Sequence, residues 1–186
     1  MCGVSDIASA TNPGRVIVIT GVMAAGKSTV AALLAEQLPA SVHVRGDAFR
    51  RMVVNGRTDM TPQASAQAVA QLNLRYELAS HTADRFADHG FDAIVQDVIL
   101  GSELGAFIER IRTRDRFLVV LSPTVSALEI REQERAKSGY THFTPGGLDH
   151  VLRTETPRLG YWLDSSAQDP PQTVDDILAN LDRARV

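Results

Sequence analysis

The sequence predicts an α/β fold in which a parallel sheet is covered by helices on both faces. Three observations carry that expectation. Short apolar runs recur at Val16 to Ile19, Phe91 to Val95 and Phe117 to Leu121. The segments between them repeat their apolar residues at helical spacing. Strand and helix signals therefore alternate along the whole chain, which is the pattern of a covered parallel sheet. With 186 residues, one hydrophobic core and one domain are expected. That domain is placed at 15–186, after a flexible N-terminus at 1–14.

Each element follows from local chemistry. Val16 to Ile19 is β-branched throughout, as expected of a strand buried on both faces. A Gly-rich turn follows, then a helix from Ser28 to Leu38 with Val30, Leu33, Leu34 and Leu38 at helical spacing, stopped by Pro39. Val42 to Val44 is a weaker strand candidate that ends at Arg45-Gly46-Asp47. Between Ala64 and His89 the stripe Ala68, Leu72, Tyr76, Ala79, Ala83 and Phe86 predicts one long helix or two in sequence, with Gln71, Arg75, Asp84 and Asp88 off the stripe. A third strand ends at Gln96-Asp97, and Ser102 is the expected N-cap of the next helix. After the strand ending at Leu121, Ser122-Pro123 reads as a cap plus first-turn proline, opening a helix to about Ala136. Lys137 to Gly147 lacks periodicity and is expected to be a mobile loop. Leu159 to Leu163 is a candidate fifth strand, and a Thr173/Asp176 capping box opens a last helix to Leu181.

Composition removes several function classes. At 44% hydrophobic and 22% charged, the chain is neither fibrous nor disordered. No apolar run approaches the roughly 18 residues that cross a bilayer, so a cytoplasmic protein without membrane association is expected. Cys2 is the single cysteine, and no zinc-ligand spacing is present. A net charge of -3 argues against a broad nucleic-acid surface but leaves room for a local anion pocket. Lys27 and Lys137 are the lysines among 19 cationic residues, and arginine fills the rest.

Gly21-Val22-Met23-Ala24-Ala25-Gly26-Lys27-Ser28 fits the G-x-x-x-x-G-K-[ST] pattern, directly after a predicted strand and directly before a predicted helix. Glycines let the backbone curl so that its amides face a phosphate, and the helix N-terminus adds partial positive charge beneath. Lys27 then reaches the β- and γ-phosphates, Ser28 offers a hydroxyl to Mg2+, and Thr29 continues the cradle. ATP and Mg2+ are the expected cofactors. A chance Gly-rich turn would match this pattern on the order of once in a hundred chains of this length.

Parallel sheets place ligands beyond the carboxyl ends of their strands, so polar residues there are the remaining candidates. Asp97 closes an apolar strand and is a candidate magnesium residue; the competing reading is a cap or turn Asp. Asp47 follows the second strand and could accept a proton from an acceptor hydroxyl, while Arg50 holds an anionic or hydroxyl-rich group. A helix cap paired to Arg50 would explain both residues without catalysis. Which of Asp47 and Asp97 acts as the base is left open. Arg131 and Arg135 share a helix face before the irregular loop, where one guanidinium could stack on a base and the other bind phosphate; a solvated helix end is the alternative. His142 and His150 flank that loop, and Tyr140, Phe143 and Trp162 are either pocket or core aromatics.

With Gly21 to Ser28, Asp47-x-x-Arg50, Asp97 and Arg131-x-x-x-Arg135 in this order, the chain resembles the small P-loop kinases from Arg15 to its last helix. Within them it is most similar to the chloramphenicol phosphotransferase-like group, which includes tunicamycin-resistance-type proteins. The resemblance implies a three-layer fold, a five-stranded parallel sheet ordered 2-3-1-4-5 and a mobile lid at about 132–158. It also implies that Asp47 activates the hydroxyl, that Asp97 is associated with magnesium, and that Arg131 and Arg135 are lid arginines. Asp47-x-x-Arg50 is also similar to polynucleotide kinases. Gln96 stands where chloramphenicol phosphotransferases tend to carry a second Asp.

The expected function is an ATP- and Mg2+-dependent phosphotransferase acting on a hydroxyl of a small molecule, with an antibiotic as one candidate. Lys27, Asp47 and Arg135 are its expected catalytic residues. Asp47, Arg50 and Asp97 face the acceptor, and Ser28 and Asp97 serve the metal. A nucleotide, nucleoside or polynucleotide 5'-hydroxyl kinase is the alternative, and a nucleotide-driven switch is the reading from another class. No Asn-Lys-x-Asp guanine element is present. A homodimer is compatible with this reading.

Overall fold

The structure is a computed structural model and describes residues 13–134 and 143–186. Its strands are β1 (Val16–Gly21), β2 (Ser41–Arg45), β3 (Asp92–Gln96), β4 (Arg116–Leu121) and β5 (Tyr161–Leu163). They form one parallel sheet in the order β2-β3-β1-β4-β5, the order that the motif resemblance implies. The helices are α1 (Lys27–Gln37), α2 (Gly46–Met52), α3 (Ala66–Ala87), α4 (Glu103–Arg110), α5 (Val125–Gln133), α6 (Pro145–Thr154) and α7 (Pro170–Ala179), followed by a 3-10 turn at Leu181–Ala184.

Strand order fixes the layers. The step from β1 to β2 runs one way across the sheet, and every later step between consecutive strands runs the other way. Right-handed crossovers then put α1 on one face and the helices between β2 and β5 on the other. In agreement, α1 packs on α7, whereas α3 packs on α2 and α4. The central strand β1 is sandwiched between β3 and β4, and Val16 to Ile19 are completely buried. A strand covered on both faces needs this continuous apolar run. All five carboxyl ends emerge along one edge, at Gly21, Arg45, Gln96, Leu121 and Leu163.

Several boundaries differ from the sequence expectation for physical reasons. The helix predicted across 64–89 is one element, α3. Within it Arg75 and Asp84, expected off the apolar stripe, are buried, and Phe86, expected inside, is exposed. Asp84 is only 1% exposed and accepts bonds from the Arg112 and Thr113 amides and the Thr113 hydroxyl, which ties α3 to the turn before β4. Ser122 is not the cap of α5: its hydroxyl donates to the Leu163 carbonyl, and Thr124 caps the helix by accepting from the Ala127 amide. Ser102 has helical dihedrals and makes no capping bond. The last helix opens earlier than expected, through a capping box of Asp169 and Gln172.

The irregular segment expected at 137–147 gives way to α6 at Pro145, capped by Thr144. Leu152 buries the inner face of α6, and Arg153 bridges Asp149 to the carbonyls of Ser122 and Pro123. The rest of that segment, with Arg135, Lys137, Tyr140 and His142, lies outside the described residues, as does the N-terminus at 1–12.

Candidate active site

The turn between β1 and α1 is shaped by its backbone. Gly21 (φ 143°), Ala24 (φ 59°) and Gly26 (φ 90°) all have positive φ. At Gly21 a Cβ would also strike the Leu121 carbonyl of β4. Gly26 is the N-cap of α1 and supplies no side-chain cap, and the first turn carries no acidic residue. The positive end of the helix dipole is therefore not offset by an acidic side chain of its own first turn. Lys27, 7% exposed, donates from Nζ to the Val22 carbonyl at 2.7 Å across the turn. Val22, Met23, Ala24 and Ala25 are buried along the loop, and Ser28 and Thr29 are exposed at its mouth. The Ser28 hydroxyl donates to Gln96 Oε1 at 3.3 Å, linking the loop to the end of β3.

Two carboxylates stand beside this loop. Asp97, 3% exposed, follows β3; its Oδ1 accepts from Arg75 Nη2 at 2.9 Å and from the Val98 amide at 2.7 Å. Its Oδ2 is buried without a hydrogen-bond partner, against Gly46. Burial pushes the Asp97 carboxyl above the usual range, opposed by the charges of Arg75 and Lys27 and by the Val98 amide. Asp47 lies in the first turn of α2. Its Oδ2 accepts from Arg51 Nη1 at 2.7 Å, whereas its Oδ1 is buried with no hydrogen bond and Arg45 Nε stands 3.6 Å away. The charges of Lys27 and Asp47 both act on Asp97, so the three belong to one electrostatic site.

The Asp47–Arg50 pairing considered as an alternative does not form. Arg50 instead makes a two-pronged pair with Asp59 at 2.7 and 2.8 Å. It lines a cavity of about 540 Å3 bounded by α2, the loop after it, α3 and the segment after β3. Phe143 lines this cavity too, while Trp162 lies under the Arg158 guanidinium, 4.0 Å from its ring centroid. Arg131 donates from Nη2 to the Ser165 carbonyl at 2.6 Å, which ties α5 to the loop beyond β5. Its expected companion Arg135 lies outside the described residues.

Arg75 is the site residue that motif reasoning missed. Arg75 carried a signal: it falls between Leu72 and Ala79 on the inner face of α3, and a cation there requires a buried acid. Gln96, noted only as a departure from a second Asp, takes a role the motif did not give it, accepting from the Ser28 hydroxyl.

The donor chemistry fits magnesium: the Asp97 carboxylate and the Ser28 hydroxyl are hard oxygen donors beside the loop, and Mg2+ takes few such protein ligands. Asp97 Oδ2, buried without a hydrogen-bond partner, would otherwise carry a desolvation cost.

A family model described as an AAA domain matches residues 16–152. A UPF0200 protein of Aeropyrum pernix is 31% identical over 134 residues, 70% of this chain and 70% of that one. Among solved structures, a sugar kinase of Janibacter sp. HTCC2649 is 20% identical with a TM-score of 0.67, over 92% of this chain and 96% of that chain. The APS kinase of Mycobacterium tuberculosis, in complex with AMPPNP and APS, is 22% identical with a TM-score of 0.68, over 91% of this chain and 98% of that chain. The tunicamycin resistance protein of Deinococcus radiodurans is 17% identical with a TM-score of 0.64, over 90% of this chain and 95% of that chain. At these identities the structural matches speak for the fold, which is the α/β fold of P-loop kinases. The family match runs from the first residue of β1 into α6 and includes the whole phosphate loop, so the chain belongs to the AAA domain family.

Proposed function

We propose that the protein is an ATP- and Mg2+-dependent kinase that transfers the γ-phosphoryl group to a hydroxyl of a small molecule. The observation that carries the reading is the juxtaposition of a phosphate loop with Asp47 and Asp97, together with a sizeable cavity that Arg75, the partner of Asp97, also lines. A nucleotide switch has no need of an acceptor cavity beside its phosphate site.

Each residue then has a defined task. The loop amides of Gly21 to Thr29 cradle the phosphates, and Lys27 meets the β- and γ-oxygens. Ser28 and Asp97 would hold Mg2+, which would supply positive charge against the transferring group. Asp47 orients the acceptor hydroxyl and takes its proton as the oxygen attacks phosphorus. The bond from the γ-phosphorus to the bridging oxygen breaks, and ADP leaves with that electron pair. Arg135, with Arg131 near the base, neutralises charge in transfer, and Arg50 steers the acceptor at the cavity rim. An antibiotic is one acceptor of this kind. The motif likeness to chloramphenicol phosphotransferases and the shared fold of a tunicamycin resistance protein both support it.

The test is transfer of labelled γ-phosphate from Mg-ATP to a panel of antibiotics, hydroxylated metabolites, nucleosides and RNA 5'-ends. Label appearing on a small-molecule hydroxyl is the expected result. Hydrolysis of ATP with no acceptor labelled would favour the switch.

A further inference from the structure

We propose that the cavity beside Asp97 selects an uncharged, largely apolar alcohol of drug-like size, and discriminates against sugars and anionic nucleotides. This rests on the kinase reading above, because it takes the cavity as the acceptor site. Its volume of about 540 Å3 lies in the range of small-molecule sites. Phe49, Met60, Leu72, Leu74, Leu100 and Phe143 are among the residues that wall it.

The polar groups are few, and among the described residues the cations are matched. Arg50 is paired to Asp59, and Arg75 to Asp97. Glu103 adds another negative charge to the lining. Recognition of a phosphate or sulfate needs cations in excess of acids, and among the described lining residues Arg50 and Arg75 are balanced by Asp59 and Glu103. A sugar meets a different obstacle. Each of its hydroxyls loses water on entry and meets a lining that is mostly apolar, so some are left unsatisfied. An apolar body gains from the same wall. Arg75, which also lines the cavity, holds Asp97 in place. In the proposed pose the apolar part of the alcohol lies against α2 and α3 and its hydroxyl at the Arg75 end, next to Asp97. Tyr76 does not compete as a polar lining group, since its hydroxyl donates to the Val98 carbonyl at 2.7 Å.

The experiment is calorimetric titration of the full-length protein, with Mg-AMPPNP present, by three probes: a series of phenyl-substituted alcohols, a hexose, and adenosine 5'-phosphosulfate. The alcohols should bind at least about tenfold more tightly than the other two, with affinity rising with apolar area. Met60→Glu and Leu74→Glu, at two partly exposed positions, should each weaken alcohol binding by about tenfold or more, whereas Met60→Leu should stay within about twofold. Preferential binding of the hexose or the phosphosulfate, or alcohol binding indifferent to both Glu variants, overturns the proposal. Transfer of phosphate to a sugar or an anionic nucleotide would overturn it while the kinase reading stands. Alcohols that bind as expected yet never receive phosphate would uphold the cavity's selectivity and overturn the kinase reading instead.

Discussion

Gly46 and Asp97 show how tightly single residues constrain the site. A Cβ on Gly46 would overlap Asp97 Oδ2, the buried oxygen that has no hydrogen-bond partner. Gly46→Ala must displace that carboxylate, so phosphotransfer should fall by at least about tenfold, with a stability loss of about 1–3 kcal/mol. Steady-state kinetics and urea unfolding measure the two effects; unchanged kinetics would mean that Asp97 does not need its position. The loop residues and both acids were legible because each obeys a spacing rule or a strand-end rule. Arg75 was harder to see, since its role depends on an acid 22 positions away that only the fold brings to 2.9 Å. The partners of Asp47 and Arg50 were equally hidden. On a helix as short as α2, small differences in side-chain direction decide between Arg50 and Arg51, and Asp59 arrives from a loop without periodicity.

At the scale of elements, apolar periodicity located β1, α1, α3, β3 and β4 because each buries a face against the sheet. It failed where polar residues are buried. Asp84 reads as the solvent side of α3, yet it satisfies two successive amides of the turn after α4. Asp84→Ala leaves those donors without their acceptor in a buried position and should cost about 3 kcal/mol of unfolding free energy, measured by denaturant titration. A loss within experimental error would show that water replaces the carboxylate there. Caps were misread for a related reason. Ser122 and Thr124 offer the same chemistry two residues apart, and Ser122 is claimed by the β5 edge through Leu163. Pro145 after Thr144 is the first-turn signal that marks α6, and it was obscured by the glycines at 146 and 147, which read as loop.

For the whole molecule, strand order followed from motif resemblance, whereas the cavity did not, because its walls come from α2, α3, two loops and α6. The far end of the sheet carries a separate electrostatic clasp. Asp92, at the start of β3, accepts from the amide and Nε of Arg15 at 2.9 and 3.0 Å and also pairs with its Nη2. Burial alone would raise the Asp92 carboxyl, but the hydrogen bonds and charge of Arg15 outweigh it and hold the group below its usual value. A folded-state value below the unfolded one gives stability that is complete above about pH 4 and is lost as pH falls through the folded value. Asp92→Asn should therefore cost about 1–3 kcal/mol at pH 7 and progressively less in acid. A constant difference in urea unfolding between pH 7 and pH 3 would contradict this assignment. The proposed chemistry is transfer of a phosphoryl group onto a hydroxyl by the phosphate loop and Asp47 together. The most direct measurement is single-turnover transfer from Mg-ATP by Asp47→Asn, beside its equilibrium affinity for ATP. The expected result is transfer slowed by a factor of about 100 to 10,000 with ATP affinity nearly unchanged. Wild-type transfer in that variant would contradict it.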